Sequence, residues 1–151
     1  MKTFVLIVSE TFPKGHSKGG QPTGFPLAIK QYVKIHTIRK NYPLWRDRIE
    51  KVNKGQAVLS VRVWTGTPYQ SIQREIFRYD QTHGIGVEKL EFDALGMKIN
   101  DVDFKMMYGP ELIAANDGLK LPDFNEWFTK SKLENKPLAI IHFTDYRYTV
   151  R

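Results

Sequence analysis

Lys34-Ile35-His36-Thr37-Ile38-Arg39 is the stretch on which the reading of this chain turns. Ile35 to Ile38 is β-branched apart from His36, which predicts a short strand. Before it, Phe25 to Val33 carries apolar residues at helix-compatible spacing (Phe25, Leu27, Ala28, Tyr32). Pro26 falls in the first turn, where a missing N–H costs nothing. The polar groups therefore sit at a helix-to-strand junction. On extended backbone Thr37 and Arg39 point the same way, while Lys34 enters from the preceding turn. A hydroxyl is bracketed by two cations. Two cations close together depress a lysine's pKa, and a neutral lysine can take a proton from a hydroxyl, which makes a Thr/Lys pair a nucleophile and base. The same cations would also grip a phosphate.

Working outward, the opening run Phe4 to Val8 reads as a first strand, too short for a signal peptide's apolar core or a membrane span, and the expected location is cytoplasmic. Thr11 to Gly24, with four glycines and two prolines, reads as a mobile surface loop and a candidate lid. Downstream of the motif, Trp45 to Val52 predicts a helical turn or two. Gln56 to Trp64, Gln73 to Tyr79 and Gly86 to Phe92 predict strands. Pro110 to Asn116 and Asp123 to Lys130 predict two short helices, with Gly118 as a helix C′ residue. Leu138 to Phe143, apolar and β-branched, predicts a central strand. Strands scattered among short helices, without regular β-α alternation, favour an α+β fold built as a small mixed barrel. At 151 residues, one domain over 1–151 is expected.

The formal net charge is +7, and the segment from Lys30 to Lys54 carries +6 of it: eight basic residues, Arg46 and Lys40 among them, against Asp47 and Glu50. Concentrated positive charge attracts polyanions. Aromatic residues fall near it or near chain breaks. Of these, Tyr69 and Tyr146 are the expected exposed rings on which a base could stack, worth about 1–3 kcal/mol per base. The RNA- or phosphate-binding set is thus Lys34, Arg39, Lys40, Arg46, Tyr69 and Tyr146.

Other chemistries are excluded or disfavoured. With no cysteine there are no disulfides, thiolate nucleophiles or sulfur-based zinc sites. GxxxxGK, GxGxxG, HExxH and GxSxG are all missing, and His16, His36, His83 and His142 show no metal-ligand spacing. No cofactor and no metal are expected.

Taken in order, several features resemble the ASCH-domain pattern. They are the Lys-x-x-Thr-x-Arg block after a short helix, Gly55 followed by a long strand to Val63, and Asp117-Gly118-Leu119 before an aromatic-rich helix with Phe124, Trp127 and Phe128. Last comes the apolar strand Ile140 to Phe143. The resemblance spans most of Phe25 to Tyr148. It implies a PUA-like β-barrel with short flanking helices and a cleft for RNA. One small member is an amidohydrolase that deacylates N4-acetylcytidine with a lysine, a threonine and a glutamate. Lys34 and Thr37 match the first two, and Asp117 stands where the glutamate would be, one methylene shorter. A shortfall of about 1 Å in a catalytic group can cost on the order of a hundredfold.

Each of these residues also has a plain structural account. Thr37 can be a strand residue with its hydroxyl satisfied by backbone, Lys34 and Arg39 surface charge, and Asp117 a turn residue beside Gly118. Three functions stay open: an RNA- or modified-nucleotide-binding module, an amidohydrolase with Lys34 as base, Thr37 as nucleophile and Asp117 as acid, and a protein-interaction domain. No membrane partner is expected, and the oligomeric state is open.

Overall fold

Leu138–His142 is buried at all five positions and forms the strand around which the larger sheet is built. In the computed structural model, which describes residues 1–93, 96–104 and 109–149, the chain runs β1 (Lys2–Ile7), α1 (Phe25–Lys30), β2 (His36–Lys40), α2 (Tyr42–Asn53), β3 (Ala57–Trp64), β4 (Gln73–Tyr79) and β5 (Gly86–Asp93). It continues through β6 (Gly96–Ile99), β7 (Val102–Asp103), α3 (Gly109–Asn116), α4 (Leu121–Trp127), α5 (Thr129–Glu134) and β8 (Leu138–His142).

The strands make two sheets, ordered β1-β3-β4 and β2-β8-β5-β6-β7. Strand β8 has antiparallel neighbours on both sides, β2 and β5. Its side chains divide between two cores. Ala139 and Ile141 join Leu6, Leu59, Val61, Trp45 and Ile49 on the face toward the smaller sheet and α2. Leu138 and Ile140 join Ile38, Leu90, Ile113 and Phe124 on the face toward α3 and α4. A strand buried on both faces reads as a continuous apolar run rather than an alternating one. Each such Ile or Leu contributes about 1.5–3 kcal/mol by leaving water.

The α+β class holds. The strand pairing among the described residues gives two sheets of three and five strands and closes no ring, so the barrel expected from the sequence is not what the pairing itself produces. Strand β4 spans the predicted residues, and β5 extends the predicted strand by one residue. Helix α1 stops three residues earlier than expected, because Tyr32 takes a left-handed φ of 57° and the Val33 and Lys34 N–H groups turn back to Ala28 O. Helix α2 starts three residues earlier than expected, where the Asn41 side chain accepts from Leu44 N–H. The expected helix from Asp123 to Lys130 is instead two short helices meeting at Phe128. Strands β6 and β7 had no clear signal in the sequence.

Thr11 to Gly24 is irregular, as its composition predicts, yet it is anchored rather than loose. Thr11 bridges Pro22, and Phe12 is buried. His16 is also buried, its Nε2 3.1 Å from Asp123 O and its ring 4.7 Å from that of Phe12. Ser17 donates from both N–H and Oγ to Glu126, and Lys18 pairs with Asp123 at 2.7 Å. The segment is strapped across α4. Among the described residues no helix is long and apolar enough to cross a membrane.

Candidate ligand-binding cleft

Among the described residues strand β2 pairs with β8 alone, which leaves its other edge without a strand partner. Facing that edge are the end of β1 and the turn after α3. The connection to α3 is specific: Ile35 N–H donates to Asn116 O at 2.9 Å, which fixes the residue after Asn116 beside the residue before Ile35. Lys34 and Asp117 are therefore neighbours although 83 positions separate them.

Lys34 is 1% exposed, and its ammonium donates to Asp117 O at 2.8 Å and to Asp117 Oδ1 at 2.9 Å. It also lies 4.1 Å from the centre of the Phe25 ring. Burial pulls the amine below the ordinary lysine range; Asp117 opposes that pull and Arg39 adds to it weakly. The neighbouring-cation effect anticipated from sequence is present, but desolvation dominates. For Asp117 burial works upward, and the Lys34 charge with the His36 imidazole 3.3 Å away outweighs it, leaving the carboxyl below its usual value. That favours the ionised form, in which Asp117 accepts protons rather than gives them.

Thr37 and Arg39 do share a side of β2. Arg39 Nη1 donates to Thr37 Oγ1 at 2.7 Å and to Ile38 O at 2.8 Å, and Nη2 donates to Ile7 O. The guanidinium thus ties β2 to the end of β1. Three of its five donors face protein, so any grip on an anion falls to the remainder. Because Thr37 Oγ1 accepts from Arg39, its own proton is left to donate into the cleft.

These residues line one cavity of about 380 Å³ whose walls include Lys34, Thr37, Arg39, Lys40 and Asp117. Phe25, Trp127 and Phe128 supply aromatic surface, and Lys130 and Ser131 of α5 complete one side. A mostly formed cavity of this size with a few convergent polar groups suits a small organic ligand. Lys40 pairs with Glu134 at 3.2 Å near the surface.

The remaining expected binders are not brought here. Arg46 lies on α2 with its guanidinium over Tyr42. Tyr69, 90% exposed, sits between β3 and β4 with its ring 5.2 Å from Trp64. Tyr146 packs edge-on to Tyr148 after β8. The basic charge of α2 is also partly neutralised in place, by Lys51 with Asp47 and Lys54 with Glu50. These are the same Asp47 and Glu50 already subtracted in the segment's net +6.

No protein-family model, curated protein or solved structure matches the chain. Its site has to be read from its own residues.

A second set of buried polar residues lies behind the cleft and went unread in the sequence. His36 and His142 pair across the β2–β8 ladder, with ring centres 5.6 Å apart. Glu88 of β5 is buried against His142 Nε2 at 2.8 Å, and Tyr148 Oη is 2.6 Å from His36 Nε2. One signal was present: stepping back by twos from Leu90 and Phe92 places Glu88 on the inward face, as the burial of β5 shows. Among the described residues no group of three or more His, Asp or Glu side chains is arranged to hold a metal ion.

Proposed function

We propose that the chain is an ASCH-type module, its two sheets an opened form of the PUA-like barrel, whose cleft binds a modified nucleoside or an RNA base. The observation that carries this reading is the convergence of Lys34, Thr37, Arg39 and Asp117 on one cavity of about 380 Å³ walled by Phe25, Trp127 and Phe128. A flat base finds aromatic surface there, and its polar edge finds an ammonium, a hydroxyl and a guanidinium. Lys40 and Lys130, both exposed at the cavity wall, supply positive charge for an attached phosphate.

The test is calorimetric titration with cytidine, N4-acetylcytidine and a short single-stranded RNA at two salt concentrations. Binding that Thr37→Val weakens supports the reading. RNA affinity should fall with log[salt] by about 0.7 per phosphate contact. If none of the three ligands binds, the reading fails.

Amidohydrolase chemistry is a second reading, favoured by the buried amine of Lys34. An amine held below its ordinary pKa is a better acceptor for the Thr37 proton, and Thr37 Oγ1 is already oriented by Arg39. Attack of Oγ1 on an N4-acyl carbonyl would break the acyl C–N4 bond, N4 leaving as the amine of cytidine with the proton that Lys34 took from Oγ1. Water would then cleave the Thr37 ester to release the free acid and restore the hydroxyl. Release of acetate from N4-acetylcytidine by the wild type but not by Thr37→Ala is the expected result. Equal rates would remove it.

A further inference from the structure

Behind the cleft a row of buried polar groups runs from the C-terminal segment toward Lys34, hydrogen-bonded as far as His36 Nε2 and in electrostatic contact from Nδ1 to Asp117. Tyr148 Oη accepts from Asn116 Nδ2 at 3.0 Å and lies 2.6 Å from His36 Nε2. With Asn116 donating to the phenol oxygen, the phenol's own proton is free to be donated to Nε2. With the phenol donating that way, the single proton of neutral His36 resides on Nδ1. Burial keeps His36 in that neutral form. Nδ1 is 3.3 Å from Asp117 Oδ1, the oxygen that also accepts from Lys34. The contact is too far off line for a full hydrogen bond, so the N–H acts on the carboxylate mainly as a dipole.

Tyr148 is itself held from behind. Glu88 accepts Tyr148 N–H at 2.7 Å, Thr149 N–H at 3.1 Å, the Thr149 hydroxyl at 2.7 Å and Asn100 Nδ2 at 3.1 Å, besides His142. Both carboxylate oxygens are engaged. A buried carboxylate with this many donors clamps the segment that supplies them.

We propose that Tyr148 is a positioning residue of the cleft: clamped by Glu88, it sets the tautomer of His36, and through Asp117 it sets how firmly Lys34 holds its proton. This gives the cleft's base, on the reading above, a control point on the far side of β2. The groups facing Lys34 are Asp117 after α3, Arg39 of β2 and the Phe25 ring of α1. Those facing His36 are Asp117, Lys34, Tyr148 and the His142 ring. Two groups lie against the His36 nitrogens, Asp117 at Nδ1 and Tyr148 at Nε2, and Tyr148 is the one that lies outside the cleft.

The test is nitrogen and carbon NMR of the full-length, isotope-labelled protein without ligand. Wild type is expected to show His36 neutral and protonated on Nδ1. In Tyr148→Phe that tautomer loses its support, Nδ1–H no longer offsets Asp117, and the carboxylate acts more fully on Lys34. The Lys34 midpoint should rise by roughly half to one pH unit. Glu88→Gln, which keeps the phenol and loosens the clamp, should give a smaller shift of the same sign.

A wild-type His36 protonated on Nε2 overturns the proposal. So does a folded Tyr148→Phe protein with an unchanged His36 spectrum and Lys34 midpoint, and an unchanged Glu88→Gln protein overturns the clamp. No nucleoside enters the measurement. A shifted midpoint with no nucleoside binding defeats the proposed function alone, and an unchanged midpoint with nucleoside bound defeats this inference alone.

Discussion

Lys34 and Asp117 form a buried ion pair, Nζ to Oδ1 2.9 Å, with side chains 1% and 5% exposed. Taking two charges out of water is expensive, and what offsets it is their mutual attraction plus the further bond from Lys34 to Asp117 O. Removing one partner should therefore be far worse than removing both. Lys34→Met alone or Asp117→Leu alone is expected to cost about 3–5 kcal/mol of stability, whereas the two combined should cost markedly less. Urea denaturation of the two singles and the double reads the coupling directly. Additive losses would mean that the pair does not act as a unit.

Gly118 holds the turn that presents Asp117. Its φ is +78°, and a Cβ there would stand 3.2 Å from Lys34 Cβ. Gly118→Ala combines left-handed strain with a push on the lysine. A loss of about 1–2 kcal/mol is expected, with weaker ligand binding, from thermal unfolding and titration of the same preparation. Wild-type stability in this variant would show that the turn relaxes without cost.

Acid should unfold the protein through His142 and Glu88. Burial lowers His142 to about 4 from an ordinary 6.5, so the unfolded chain binds that proton more tightly and stability falls as pH drops from about 6.5 to 4. For Glu88, burial works upward, and hydrogen bonds from His142, Tyr148 and Thr149 outweigh it to give about 2. Its contribution is present above about 4.5 and lost on the way to 2. Each step is worth up to about 3 kcal/mol. Denaturant midpoints measured from pH 7 to pH 3 should decline through both windows, and Glu88→Gln should flatten the lower one.

His16 pins the strap of residues 11–24 on α4, through Asp123 O and the rings of Phe12 and Trp127. His16→Ala should loosen it, and because Phe12 of the strap belongs to the core beside α4, some stability goes with it. Faster trypsin cleavage after Lys14 or Lys18, with a modest fall in the unfolding midpoint, is the expected pattern. Unchanged cleavage would place the anchoring in Ser17–Glu126 and Lys18–Asp123 instead.

Arg39→Lys should not substitute. A lysine cannot hold Ile7 O and Thr37 Oγ1 together in one fork, so the cleft edge loses its tie to β1. The expected loss is about 1–3 kcal/mol of stability, together with ligand affinity; an unaltered protein would mean the tie is dispensable.

Elements whose signals are local were legible in the residues alone. The apolar run of β8, the proline-led start of α1, the glycine after α3 and the short strand from Ile35 are each written in a few consecutive residues, so their types could be read. So could the same-side placement of Thr37 and Arg39, because a two-residue period on a strand needs no tertiary information. Which distant groups meet in the cleft depends on contacts between segments far apart in the chain. Pairing Ile35 with Asn116 set Asp117 on Lys34, strand register set His36 beside His142, and the burial of Glu88 drew the C-terminal segment onto β5. Arg46, Tyr69 and Tyr146 show the reverse, since composition marked them and the fold left them away from the cleft. The physical reason is range: propensity and periodicity act over one turn or one strand. Desolvation, the force that holds the Lys34 amine below the ordinary lysine range, exists only once distant segments have closed around it.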